Sequence, residues 1–114
     1  MDNLKKLANK YFEVWNSHDS INVGNLFCDD GILRDWNIKA EGKENVVNAN
    51  QNIFNDVPNI KVEILKMHIC ENTNTVSNEI LVHLNNENKD ILKVVDIIEY
   101  DINGLIISLR AYQG

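Results

Sequence analysis

The sequence predicts an α+β domain in which a layer of helices packs against an antiparallel sheet. Helical spacing of apolar residues dominates before the single proline, Pro58, and period-two alternation dominates after it. The strand-like runs after Pro58 are joined by short connectors rich in Asn, Asp and Gly, as is typical of a meander. Helices followed by a meander indicate one helical layer on one sheet.

Three helices are predicted in the first half of the chain. The first begins near a cap at Asp2 or Asn3 and ends at about Ser17, with one apolar stripe formed by Leu4, Leu7, Ala8, Tyr11 and Trp15. A short second helix follows Asp19 or Ser20 and carries Val23, Leu26 and Phe27. The third runs from about Lys43 to Asn55. Tyr11 lies in the middle of its stripe, so its ring is expected to face inward.

The strands are predicted from alternation and from turn residues. Asp29-Asp30-Gly31 reads as a turn, and Ile32 to Trp36 as a short strand on which Leu33 and Asp35 share one face. Gly42 ends this segment. Four longer strands are predicted at Ile60–Cys70, Thr75–Leu84, Ile91–Tyr100 and Leu105–Tyr112.

Composition and charge exclude several classes of function. The chain has 114 residues and a net charge of -6, which fits a single domain over residues 1–114 and argues against nucleic acid as a partner. Cys28 and Cys70 are too isolated for a disulfide framework or a zinc site. No metal-binding or phosphate-binding motif is present, so we expect no cofactor and no metal. No signal-peptide pattern or membrane-length apolar run occurs, so we expect a cytoplasmic protein without a membrane partner.

Asp96 stands out because alternation places a carboxylate on an apolar strand face. Leu92, Val94, Ile98 and Tyr100 share that face, whereas the opposite face carries two charges. A buried carboxylate either finds a partner, here a backbone amide or Arg110, or keeps its proton. Two alternatives also stay open for Asp35, which either lines a pocket or forms a surface ion pair with Arg34. Tyr11 either lines a pocket or is a core tyrosine.

Two segments resemble known proteins. Lys10–Asp19, with the sequence KYFEVWNSHD, and Leu26–Gly31, with LFCDDG, resemble the first two helices of SnoaL-like and ketosteroid-isomerase-like proteins. Asp101–Tyr112, with DINGLIISLRAY, resembles the last hairpin of the same families. The resemblance implies the cone-shaped fold of the nuclear-transport-factor-2-like (NTF2-like) superfamily, with three N-terminal helices on a curved, mostly antiparallel sheet.

The resemblance also implies roles for three residues. Tyr11 falls at the position of an oxyanion-hole tyrosine, Asp35 at that of the general base, and Asp96 at that of a neutral carboxylic acid that donates a second hydrogen bond to the oxyanion. The sequence departs from the isomerase pattern after Asp35, where Trp36-Asn37-Ile38 replaces a turn with proline. The residues expected around the substrate are Trp15, Leu33, Trp36, Phe54, Val94 and Ile98.

These features predict a protein that binds a small apolar ligand, with isomerisation of a ketone by enolisation as the leading activity. An aldol-type polyketide cyclase and a ligand-binding or dimerisation module without turnover stay open as alternatives. An epoxide hydrolase is disfavoured because Ala111 follows Arg110 where that chemistry needs an acid. The resemblance implies a homodimer, for which Val95 and Ile97, with Ile106 and Tyr112 beside them, would supply apolar surface.

Overall fold

The computed structural model describes residues 2–114, which form three α-helices, one short 3₁₀ turn and six strands. The helices are α1 (Asp2–Asn16), α2 (Ser20–Asn25) and α3 (Lys43–Asp56). The strands are β1 (Phe27–Arg34), β2 (Lys39–Glu41), β3 (Lys61–Cys70), β4 (Thr75–His83), β5 (Ile91–Tyr100) and β6 (Ile106–Gln113). The 3₁₀ turn, Glu71–Thr73, connects β3 to β4. The capping role predicted for Asp2 concerns a side chain that lies outside the described part of the chain.

The strands form one open sheet in the order β2-β1-β6-β5-β4-β3. All neighbouring strands are antiparallel except β1 and β6, which are parallel. Register shifts interrupt the β1–β6, β3–β4 and β5–β6 ladders, and such irregularities bend a sheet. The predicted α+β class with a mostly antiparallel sheet is therefore confirmed.

The core lies between the helices and the inner face of the sheet. The predicted stripe of α1 is buried except for Leu7, which is partly buried, and Phe12 joins it. The Tyr11 ring packs edge-on against Phe12 and Phe27, with ring centroids 5.1 Å and 6.4 Å apart. The apolar period of α1 thus fixes Tyr11 against the sheet.

The second helix begins after the predicted cap, Asp19, but ends earlier than predicted, and the turn predicted after it was wrong. α2 ends at Asn25, and Phe27 already pairs with Ile106 in the sheet, because the Leu26 carbonyl accepts a hydrogen bond from the Ile106 N–H. Asp29, Asp30 and Gly31 do not form a turn and instead lie in an irregular part of β1. A Cβ atom on Gly31 would lie 3.0 Å from the Ile106 carbonyl oxygen and 2.9 Å from Phe27, so glycine permits this close strand contact.

The predicted strand Ile32–Trp36 begins and ends too late, because β1 runs from Phe27 to Arg34. Asp35 stops the strand with its own side chain. Its Oδ1 accepts hydrogen bonds from the Asn37 N–H (2.7 Å) and the Ile38 N–H (2.6 Å), and its N–H donates to the Ile38 carbonyl (2.9 Å). This Asx-type turn replaces the proline turn of the isomerase pattern and holds Asp35 at the end of β1.

The outer face of the sheet is a mixture of apolar and charged side chains. Val95 and Ile97 lie there as predicted, and Tyr112 is 55% exposed. Ile106 was wrongly placed there: it is 1% exposed and belongs to the core, while Ile107 is 42% exposed. No helix formed by residues 2–114 is long and apolar enough to cross a membrane.

Candidate active site

Asp96 lies on the buried face of β5, as alternation predicts. Residues of β5 alternate between buried and partly exposed from Val94 to Tyr100, and Asp96 is 8% exposed. In the sheet its direct neighbours are Asn78 on β4 and Ala111 on β6. Among the described residues none hydrogen-bonds the Asp96 carboxyl group.

The surroundings of Asp96 favour its neutral form. Burial raises the pKa of Asp96 to about 7, and the negative charge of Asp35 contributes to the rise. Arg110, the cation that could have paired with it, lies on the opposite face of the sheet and donates to Glu99 and Ser108. Near neutral pH a substantial fraction of Asp96 therefore carries a proton that it can donate.

Tyr11 brings a second potential donor from α1. The residue is 3% exposed, and burial raises the pKa of its hydroxyl group well above the usual value, with Asp96 and then Tyr100 adding to the effect. The hydroxyl group therefore stays protonated at neutral pH.

Tyr11, Asp35 and Asp96 line one cavity of about 300 Å³. Its wall is mostly apolar and comes from α1, α3, the turn at residues 35–38 and the inner faces of the strands. None of the described residues lining it is Lys, Arg or His. The cavity thus combines two carboxyl groups and a phenol with apolar walls, a combination suited to an uncharged ligand with a carbonyl oxygen.

Four of the six residues expected around the substrate line this cavity: Trp15, Leu33, Trp36 and Val94. Trp36 is 44% exposed and stands at the rim. Phe54 and Ile98 do not line the cavity. The Phe54 ring stacks on His18, with ring centroids 4.4 Å apart, and Ile98 is fully buried in the core.

Two buried asparagines near the site were missed by the sequence analysis. Asn50 of α3 lines the cavity, and its Oδ1 accepts a hydrogen bond from Trp15 Nε1 (2.9 Å), which ties α1 to α3. Asn78 is fully buried and donates to the backbone carbonyls of Val76 and Asp96. Alternation in β4 places Asn78 on an apolar face, so the argument used for Asp96 could have identified it.

The described part of the chain contains no group of three or more His, Cys, Asp or Glu side chains arranged to hold a metal ion. The titratable side chains among the described residues that line the cavity are Tyr11, Asp35 and Asp96. In this arrangement the Asp35 carboxylate can remove a proton from a bound ketone, and Tyr11 together with the protonated form of Asp96 can donate hydrogen bonds to the resulting oxyanion.

Comparison with known protein families identifies the family of this chain. A family model described as the SnoaL-like domain matches residues 8–109. The chain belongs to the SnoaL-like family. No curated protein matches this SnoaL-like protein in sequence.

Solved structures share the fold of this SnoaL-like protein at low sequence identity. An NTF2-like protein of unknown function from Cytophaga hutchinsonii has a TM-score of 0.79 at 15% identity, over 97% of this chain and 89% of its own. A putative SnoaL-like isomerase from Agrobacterium tumefaciens has a TM-score of 0.83 at 13% identity, over 100% of this chain and 99% of its own. A protein with a ketosteroid isomerase-like fold from Catenulispora acidiphila, in complex with trimethylamine, has a TM-score of 0.83 at 17% identity, over 93% of this chain and 83% of its own. These similarities confirm the NTF2-like fold.

Proposed function

We propose that this SnoaL-like protein isomerises a small ketone by enolisation. Asp35 removes a proton next to the carbonyl group and returns it to another carbon, while Tyr11 and protonated Asp96 donate hydrogen bonds to the enolate oxygen. The observation that carries the proposal is that these three side chains line one mostly apolar cavity. The raised pKa of Asp96, about 7, supports its role as a donor.

The position of Asp35 suits a base that works at the mouth of the cavity. Its Oδ1 accepts two backbone hydrogen bonds in the turn, while its Oδ2 accepts none from the described residues. The turn thus fixes the carboxylate and leaves one oxygen for the substrate. Asp35 is partly buried, so the substrate itself completes the exclusion of water.

The size of the cavity sets the class of ketone. Ligand sites for drug-sized molecules span roughly 300 to 1,000 Å³, so a cavity of about 300 Å³ lies at the small end. We therefore expect a monocyclic or bicyclic ketone rather than a steroid to fill it.

The test is to offer a monocyclic β,γ-unsaturated ketone and to follow the absorbance of the conjugated enone. We expect turnover by the wild type and a loss of about 100-fold or more in Asp35→Asn, since the amide keeps the turn acceptor but is not a base. Asp30→Asn on the exposed part of β1 is the matched control. Absence of turnover above buffer, or turnover that survives Asp35→Asn, contradicts the proposal.

A second candidate is ligand binding without turnover, with the same cavity as the site. It is favoured by the engagement of Asp35 Oδ1 with two backbone N–H groups, which restrains the side chain that would have to move with the proton. Binding of a phenol such as β-naphthol, an analogue of the enolate, together with no turnover of any unsaturated ketone would support this candidate.

A further inference from the structure

The sheet has a gap beside the mouth of the cavity. β1 ends at Arg34, which pairs with Arg110 of the parallel strand β6, whereas β6 continues to Gln113. The turn made by Asp35 leads the chain away from β6 at this point. The result is a groove of about 660 Å³ between residues 34–36 and residues 110–114, which we name the notch.

The notch contains two arginines, of which one is paired and the other is not. Arg110 donates to Glu99 and Ser108, so its charge is compensated. Arg34 is exposed and forms no hydrogen bond or ion pair with the described residues. Of the two acids nearby, Glu99 is bound to Arg110, and Asp35, whose Oδ1 accepts two hydrogen bonds in its own turn, forms no ion pair with Arg34. The guanidinium group of Arg34 is therefore free to bind an anion from solution.

Arginine suits this position because its planar fork matches the two oxygens of a carboxylate. Two exposed aromatic rings, Trp36 (44% exposed) and Tyr112 (55% exposed), flank the notch and offer apolar contact to the carbon chain of a ligand. An acidic protein that leaves one arginine unpaired beside two exposed rings presents a local site for an amphipathic anion.

The notch and the cavity are neighbours, because Asp35, Trp36 and Ala111 line both of them. A ligand that extends from the cavity toward the notch has to pass these three residues. The cavity has no Lys, Arg or His among its described lining residues, so a carboxylate in its interior would lie beside Asp35 and Asp96 without a cationic partner. An acidic group on the same ligand therefore has its place outside, at Arg34.

We propose that the notch is a subsite for the carboxylate of the substrate, and that the substrate is a small ketone with an acidic tail. The inference rests on the proposed function for the ketone end and on Arg34 for the acidic end. Arg34 determines specificity and takes no part in the proton transfer.

The experiment compares three probes by calorimetry: β-naphthol, β-naphthoate, and a hydroxy-β-naphthoate whose hydroxyl and carboxyl groups are at opposite ends of the rings. We expect the wild type to bind the hydroxynaphthoate roughly 5-fold more tightly than β-naphthol, as for one solvent-accessible ion pair. This preference should shrink at high salt, since exposed charges are screened. Arg34→Gln should abolish it, and Arg34→Lys should keep part of it because the charge remains without the fork.

The outcomes separate the two proposals. The proposal that the notch binds a carboxylate is overturned if the wild type binds β-naphthol and the hydroxynaphthoate with equal affinity. It is also overturned if the preference for the hydroxynaphthoate persists in Arg34→Gln. Binding of β-naphthoate that depends on Arg34, with nothing added by a hydroxyl group, supports the notch and contradicts the oxyanion site. Binding that depends on the hydroxyl group and not on Arg34 supports the oxyanion site and contradicts the notch as a carboxylate subsite. Failure of all three probes to bind contradicts both proposals.

Discussion

The buried carboxyl group of Asp96 makes the stability of this protein depend on pH in a direction that can be measured. Its pKa rises from 3.8 to about 7 on folding, mainly because of burial. Below about pH 4 both the folded and the unfolded chain hold the proton. Between about pH 4 and pH 7 only the unfolded chain releases it, so each pH unit removes about 1.4 kcal/mol from the free energy of unfolding.

Asp96→Asn removes this dependence because an amide does not titrate. A shift of about three pKa units corresponds to about 4 kcal/mol in all, of which about 3 kcal/mol falls between pH 5 and pH 8. The amide has its own cost of burial, but that cost does not change with pH. We therefore expect the stability of the variant relative to the wild type to increase by about 3 kcal/mol from pH 5 to pH 8.

The assay is urea unfolding of the two proteins at several pH values between 5 and 8. The control is Asp30→Asn, whose side chain is exposed and whose curve should follow that of the wild type. A difference between Asp96→Asn and the wild type that is constant over this range would refute the reasoning. Asp96 would then be ionised throughout, and its role as a hydrogen-bond donor to an oxyanion would fail with it.

Four further substitutions test other parts of the structure. Asp35→Ala should cost about 1 to 2 kcal/mol of stability in urea unfolding because two backbone N–H groups lose their acceptor, whereas Asp35→Asn should keep most of it. The same Asp35→Asn variant should lower the pKa of Asp96, since it removes a nearby negative charge; a carbon-13 NMR titration of the carboxyl group with an unchanged midpoint would contradict this. Gly24→Ala should destabilise by about 1 to 3 kcal/mol, because the new methyl group would lie 2.3 Å from Val47 Cγ2, and a neutral effect in thermal unfolding would show that α2 and α3 can separate. If two copies of the chain pair through the outer sheet face, Ile97→Glu should shift the sedimentation coefficient from that of a dimer to that of a monomer. A wild type that sediments as a monomer at micromolar concentration would contradict the homodimer prediction.

The sequence was informative wherever one periodic pattern ran for several residues. Ten residues of strict alternation identified β5 with its bounds and placed Asp96 on the buried face. The apolar stripe of α1 identified the inward side of Tyr11. Such patterns are local consequences of burying one face of a strand or helix, so they can be read without knowledge of the partner surface.

Prediction from periodic spacing failed where the spacing of apolar residues is irregular. Phe27 was assigned to a helix and Asp29-Asp30-Gly31 to a turn, because the sequence does not reveal that β6 pairs with this segment from 75 or more residues away. Phe54 faces inward as expected but stacks on His18, a contact between two segments that no local pattern encodes. Ile106 was placed on the wrong face because the β5–β6 register shifts at Tyr100.

By itself, the sequence determined the α+β class, the inward direction of Tyr11 and the burial of Asp96, since each follows from the period of a single helix or strand. The resemblance to a family added Asp35 as a candidate base. Only the tertiary structure decided that these three residues line one cavity, that Arg110 pairs with Glu99 on the far face and that β1 stops early enough to leave the notch. These features depend on the register between strands that are distant in sequence, and register is set by packing of the whole sheet.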